Sequence, residues 1–273
     1  MIKLLAVDLD DTLLTHALKI PQANKAALSR ARSLGVEVVL ASGRTLFSME
    51  PYARELSMFG SAGFMIASNG SQIFDTRDNR LIYKKTVEPE AAARAYEIVC
   101  AYGLTMQYYG HGVIYSSGMS KYTQLDCRLT GQSLEIDGDF QHRLADRSKF
   151  VIPGEPEMLL RVQDDLKTEL GGRCNIFTSK PFFLEILPGD ADKGAALAYV
   201  AEYHGFVQDE VMAVGDSMND YGMISWAGTG VAMSNGLEAV HAIANAVTPL
   251  SNEENGVAWA VEEYILKLHD AVK

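Results

Sequence analysis

Short apolar runs alternate with segments of helical period at both ends of this chain. That rhythm restricts it to parallel βαβ units. Residues 4–7, 36–41 and 64–67 read as buried strands. Between them, 21–33 and 47–57 have helical periodicity, the first stopped by Gly35. Ser68-Asn69-Gly70 closes the third strand. The rhythm resumes late. Residues 194–204 read as a helix ending at Gly205 and 211–214 as a strand, then 220–227 as a helix, 230–233 as a strand and 237–244 as a helix. Residues 257–268 form a last amphipathic helix. The expected fold is α/β, with a doubly wound parallel, Rossmann-like core.

The middle breaks the pattern. A helix at 89–102 precedes strands at 105–109 and 113–116, and a helix at 156–170 precedes strands at 175–178 and 182–187. Paired strands suggest hairpins, hence an inserted α+β domain with an antiparallel sheet. The expected division is 1–82 with 189–273 as the core and 83–188 as the insert, both boundaries being candidate hinges.

Composition narrows the function. The 273 residues are 48% hydrophobic and 22% charged, enough for one large or two medium cores. A net charge of -11 without a Lys/Arg run argues against nucleic-acid and anionic-membrane partners. Cys100, Cys127 and Cys174 form no CxxC pair, and none of the 6 histidines has zinc-ligand spacing. The first strand ends at Asp8, before an apolar stretch of signal length, and no run reaches transmembrane length. A cytoplasmic protein with reduced thiols is expected, a monomer or weak homodimer. The sequon Asn69-Gly70-Ser71 then has no consequence.

The chemistry gathers at strand ends, where open α/β sheets bind ligands. Asp8 and Asp10 stand two apart where the first strand stops. Like charges this close call for a cation or a proton, unless they merely make a polar turn. Ser42-Gly43-Arg44 follows the second strand, Gly215 to Asp220 follows the strand at 211–214, and Lys193 opens a helix. Asp8, Asp10 and Asp216 offer hard oxygens suited to Mg²⁺, and Ser42, the Gly43 amide and Lys193 suit phosphate oxygens. Each has a plainer reading. Ser42-Gly43 could be a turn, Lys193 a solvated side chain, and Asp216 and Asp220 helix caps. Gly228-Thr229-Gly230 lacks the last glycine and the preceding strand of a dinucleotide fingerprint. Tyr108-Tyr109 and Phe182-Phe183 read as sheet packing.

Taken together, these clusters resemble the four motifs of the haloacid dehalogenase superfamily of phosphohydrolases. Asp8-Leu9-Asp10-Asp11-Thr12-Leu13 resembles the first, Ser42 the second, Lys193-Gly194 the third, and Gly215-Asp216-Ser217-Met218-Asn219-Asp220 the fourth. The insert resembles the cap of the Cof-type branch, as do Ser68-Asn69-Gly70, Val231-Ala232-Met233-Ser234-Asn235 and Asn255-Gly256-Val257-Ala258. Gly236 and Asp192 depart from the usual Ala and neutral residue. Asp192 could pair with Lys193 or cap its helix.

The resemblance implies a Mg²⁺-dependent phosphatase acting on a small phosphorylated metabolite, a sugar phosphate or a cofactor-precursor phosphate. Asp8 would be the nucleophile and form an aspartyl-phosphate. Asp10, its proton held by its surroundings, would serve as acid and then base. The metal would be held by Asp8, Asp216 and the Asp10 carbonyl. Leu9, Thr12, Ser42, Gly43, Lys193 and Asn219 would meet phosphate, with Asp220, Arg44 and Asn69 behind them. The cap would read the rest of the substrate, with Tyr108, Tyr109, His111 and Lys121 as candidates. A phosphosugar mutase of the same fold and a non-catalytic phosphometabolite-binding regulator are the alternatives. Asp11 has no role and is expected to be a solvated turn residue.

Overall fold

A computed structural model of the chain describes residues 1–61 and 63–270. It divides into two compact units, Met1–Tyr83 with the chain from Asp192 onward, and Lys84–Ala191.

The first unit is built on an eight-stranded sheet. Its strands are β1 (Leu4–Asp8), β2 (Glu37–Ala41), β3 (Gly63–Ala67), β4 (Gln72–Asp75) and β5 (Arg80–Lys84). The second unit contributes β6 (Gln107–Tyr109), β7 (Val113–Ser116), β8 (Ser133–Ile136), β9 (Phe150–Pro153), β10 (Cys174–Lys180) and β11 (Phe183–Pro188) to a sheet of its own. The chain then returns to the first sheet with β12 (Val211–Gly215), β13 (Thr229–Ala232) and β14 (Ala246–Val247). The first sheet runs β14-β13-β12-β1-β2-β3-β4-β5.

β1 is buried along its whole length, and its residues divide by parity. Leu5 and Val7 join a core with Val38, Leu40, Met212 and Val214. The helices Gln22–Ser33 and Leu46–Glu55 cover that face with Ala27, Leu28, Ala31, Met49 and Ala53. Leu4 and Ala6 join a second core with Val39, Phe64, Val211 and Ala213. There Ala196, Leu197 and Val200 of the helix Lys193–His204 close the other face. Helices on both faces make the doubly wound arrangement, and they explain why β1 and β12 read as unbroken apolar runs.

Two corrections follow. The core sheet is not wholly parallel, because β4 pairs antiparallel with β3. β4 is short, and the edge strand β5 is largely exposed with a basic residue at each end, so neither carries an apolar signature. The segment read as a helix at 237–244 is helical only over Glu238–His241, and the C-terminal helix from Gly256 passes through a wider π turn at Glu262–Leu266.

The second unit has the order β10-β11-β9-β6-β7-β8. Its helix Pro156–Leu170 presents Leu159, Val162, Leu166 and Leu170 at helical spacing to Phe150, Ile152, Leu184 and Ile186. Three elements escaped the sequence reading: the helix Lys121–Thr130, β8 and β9. The first two are polar or exposed, and β9 is a four-residue run. β8 pairs parallel with β7, so this sheet is mixed rather than antiparallel. Tyr108 stacks on Tyr115 at 5.1 Å between ring centroids and is buried, as packing residues should be. Among the described residues, no helix is long and apolar enough to cross a membrane.

Candidate active site

β1 ends on Asp8, whose carboxylate is nearly inaccessible. Lys193, the first residue of its helix, is wholly buried. Its Nζ lies 2.6 Å from Oδ1 of Asp8 and 2.6 Å from Oδ1 of Asp220. The other oxygen of Asp220 accepts from the amides of Asp216, at 3.0 Å, and Ser217, at 3.1 Å. Asp220 therefore caps its own loop and fixes Lys193 at once. Asp192 does not pair with Lys193 but caps the helix, accepting from the Ala195 amide at 2.8 Å.

The helix can sit this close because Gly194 carries no side chain. A Cβ there would lie 2.4 Å from the backbone carbon of Gly222. Likewise, a Cβ on Gly215 would lie 2.6 Å from Cβ of Asp220.

The third carboxylate, Asp216, follows β12, the neighbour of β1. Thr12 donates to its Oδ1 at 2.9 Å. Thr12 is fully buried and spends its hydroxyl on that bond. In this structure it braces a carboxylate, a partnership the sequence did not show. One carboxylate oxygen each of Asp8, Asp216 and Asp220 can be chosen so that all lie within 4.8 Å of one another.

Three carboxylates face one ammonium here, which leaves two formal negative charges in a buried site. Burial, and then the charge of Asp220, push Asp8 well above the usual carboxylate range against the pull of Lys193. Burial and Asp220 push Asp216 up to about 7, with the Thr12 hydrogen bond opposing. For Lys193, burial favours the neutral form, but Asp220 and Asp8 outweigh it and hold the ammonium charged. A divalent cation with hard-oxygen preference fits both this charge and this donor set.

Ser42, after β2, is buried, and its Oγ accepts from the Arg44 amide at 3.1 Å. Asn69 lies across the same turn, its amide donating to the Ser42 carbonyl at 3.1 Å. Ser68 and Asn69 hold positive φ of 49° and 52°. This places the Asn69 side chain against Gly43, where a Cβ would come within 3.0 Å of its Oδ1. Asn219 donates to Asn69 Oδ1 at 3.1 Å. Leu9 lies in the turn directly after Asp8.

Asp10 pairs with Arg44. Both its oxygens accept from Arg44, Oδ2 from Nε at 2.8 Å and Oδ1 from Nη2 at 2.6 Å.

The turn Leu9–Leu13 is closed by the Leu14 amide on the Leu9 carbonyl at 2.8 Å. Three asparagines frame it. Asn235 donates to the Asp11 carbonyl at 2.8 Å, Asn252 to the Leu14 carbonyl at 2.9 Å, and Asn24 to the Leu13 carbonyl at 3.4 Å. Sequence reasoning assigned none of these roles. Asn235 stood only within a stretch of likeness, and Asn24 inside a helix looked ordinary. The Asp11 side chain is exposed, beside an exposed His16, as a solvated turn residue would be.

A family profile described as haloacid dehalogenase-like hydrolase matches residues 5–261. The chain is 32% identical over 271 residues to YxeH of Bacillus subtilis, which covers 97% of this chain and 99% of YxeH. It is 30% identical over 271 residues to the 5-amino-6-(5-phospho-D-ribitylamino)uracil phosphatase YcsE of the same organism, with 97% and 96% covered. A crystal structure of a haloacid dehalogenase-like hydrolase from Bacteroides thetaiotaomicron matches with a TM-score of 0.90 at 34% identity, covering 96% of this chain and 99% of that one. The chain belongs to the haloacid dehalogenase-like hydrolases, as a phosphatase of the Cof type.

Proposed function

We propose that this phosphatase hydrolyses phosphate monoesters of small metabolites through an aspartyl-phosphate on Asp8. The observation that carries this reading is the buried Asp8–Lys193–Asp220 contact beside Asp216. It holds a nucleophilic carboxylate in a fixed direction at the end of β1, in a site with two negative charges to spare.

An oxygen of Asp8 attacks phosphorus in line while Lys193 fixes the carboxylate from behind. Asp10 gives a proton to the leaving oxygen and later takes one from the attacking water. Ser42, the Leu9 and Gly43 amides and Asn219 donate to the equatorial oxygens, where transition-state charge spreads. Asp220 keeps Lys193 and the Asp216 loop in register. Asp8, Asp216 and the Asp10 carbonyl would hold Mg²⁺, which offsets the excess negative charge and that of the phosphate.

The inserted unit would select what carries the phosphate. A sugar phosphate or a phosphorylated cofactor precursor is the favoured class, supported by the substrate for which YcsE is named. Three unpaired cysteines suit a reducing cytoplasm.

The test is phosphate release from a panel of sugar and cofactor phosphates, with Mg²⁺ or with EDTA. EDTA should abolish release, and Asp8→Asn should lower it by about 10³-fold or more. Unchanged turnover in Asp8→Asn would remove the proposal.

A further inference from the structure

The turn after β3 ties together the other turns at this edge of the first sheet. The Asn69 amide donates to the Ser42 carbonyl at 3.1 Å, and the Ser68 amide to the Arg44 carbonyl at 2.9 Å. Gly70, at a φ of 96°, lies against the backbone of Asp192, where a Cβ would come within 2.2 Å of the carbonyl oxygen. The Asn69 side chain reaches further, accepting at Oδ1 from Nδ2 of Asn219 at 3.1 Å. We infer that Asn69 is the positioning residue for Asn219, aiming its amide at the phosphate. This rests on the phosphatase reading above, in which Asn219 donates to phosphate.

Asn219 needs such a device. It is exposed, whereas Asn69 is buried. The last torsion of an exposed Asn is broad, so its amide would otherwise point in many directions. Here the amide is held at both ends. Nδ2 donates to Asn69, and Oδ1 accepts from Ser217 Oγ at 2.6 Å. A planar amide carries two N–H donors, so with its oxygen and one N–H committed, the second N–H has a single direction. Asn69 is itself well placed to hold it. Its φ of 52° is one that Asn adopts more readily than most residues. Gly43 leaves it room, since a Cβ there would meet Oδ1 of Asn69 at 3.0 Å and Nδ2 at 3.3 Å. The glycine beside Ser42 therefore admits the side chain that reaches Asn219.

Strand order makes the bridge matter. β1 and β2 stand between β12 and β3, so a bond from the turn after β3 to the turn after β12 spans the strand ends that carry Asp8 and Ser42. It fixes the spacing between the Ser42 turn, which holds Asn69 by its backbone, and Asn219. A donor out of aim loses most where charge grows, on the equatorial oxygens of the in-line transition state. Loss of the Asn69 side chain should therefore lower kcat more than it raises KM. It should act only through Asn219.

The experiment is a double-mutant cycle on p-nitrophenyl phosphate hydrolysis with Mg²⁺, using wild type, Asn69→Gly, Asn219→Ala and the combined variant. Glycine removes the side chain and accepts the positive φ. Asn219→Ala should lower kcat about 10²-fold, and Asn69→Gly about tenfold with KM nearly unchanged. In the Asn219→Ala background, Asn69→Gly should change kcat by less than about twofold. A loss of folded protein would act equally in both backgrounds and so could not imitate that pattern. Asn69→Ala, which keeps Cβ, should reproduce it if the glycine variant folds poorly. Wild-type kcat in Asn69→Gly would overturn the inference. So would losses that multiply in the combined variant, which would mean that Asn69 acts without Asn219. Absence of any nitrophenolate from wild type would instead defeat the phosphatase reading on which the inference rests.

Discussion

Nζ of Lys193 lies 2.6 Å from Oδ1 of Asp8, with the ammonium fully buried and the carboxylate nearly so. The same ammonium holds Asp220, which is also fully buried. Removing it strands two carboxylates in the interior. Lys193→Met should cost about 3–5 kcal/mol of stability, by the usual cost of breaking a buried pair from one side. Urea unfolding measures it. Adding Asp220→Asn should return part of the loss, since one stranded charge is gone. A Lys193→Met protein as stable as wild type would show that the pair holds nothing together.

Asp216 makes stability and metal affinity depend on pH. Its folded value is about 7 against an ordinary value of 3.8. A raised carboxylate binds more protons folded than unfolded between these values, so its contribution is present at low pH and lost as pH rises from about 4 to about 7. Asp8 shifts in the same direction. Metal-free protein should lose about 1–3 kcal/mol from this source between pH 5 and pH 8. Saturating Mg²⁺ or Asp216→Asn should each shrink that loss. Because the cation needs the ionised carboxylate, its affinity should weaken up to about tenfold per pH unit below 7. Calorimetric titration in buffers of different ionisation enthalpy should show proton release on binding at pH 6. Binding with no proton release there would place Asp216 among ordinary carboxylates.

The sequence announced the parallel core because β1 and β12 are buried on both faces and so are apolar throughout. It announced the site because strand order brings Asp8, Ser42 and Asp216 to adjacent strand ends. What it hid was partnership. Thr12 looked like a phosphate donor, but its hydroxyl meets Asp216 across 204 positions of chain. Asp10 and Arg44 were both singled out, yet nothing in their spacing said that one would grip the other. β8 and the helix Lys121–Thr130 were missed because their faces are mostly polar or exposed and periodicity has little to mark.

Gly194 tests the close approach that buries Lys193. Alanine is the better helix former by about 1 kcal/mol, so propensity alone predicts that Gly194→Ala stabilises. Its Cβ, however, would lie 2.4 Å from backbone carbon and 2.5 Å from backbone oxygen of Gly222, which cannot rotate away. Overpacking against backbone costs about 1–3 kcal/mol and should win. Thermal unfolding should show a lower Tm, and activity should fall because Lys193 moves with the helix. A raised Tm would mean that the two helices separate without penalty.

Thr12 separates bracing a metal ligand from binding phosphate. Valine has nearly the same shape without the hydroxyl, so Thr12→Val deletes the 2.9 Å donor to Asp216 and little else. That hydrogen bond favours the ionised form, and without it Asp216 should rise further. A hydrogen bond to a charged group contributes about 1.5–3 kcal/mol, or roughly 10- to 100-fold in affinity. Mg²⁺ affinity at pH 7 should fall by that order, with KM for the phosphate ester at saturating Mg²⁺ nearly unchanged. Thr12→Ser keeps the donor and should restore affinity, and raising the pH to about 8.5 should recover much of the Thr12→Val loss by ionising Asp216 outright. If KM rises instead while Mg²⁺ affinity holds, Thr12 serves the phosphate after all, and the hydrogen bond to Asp216 is incidental.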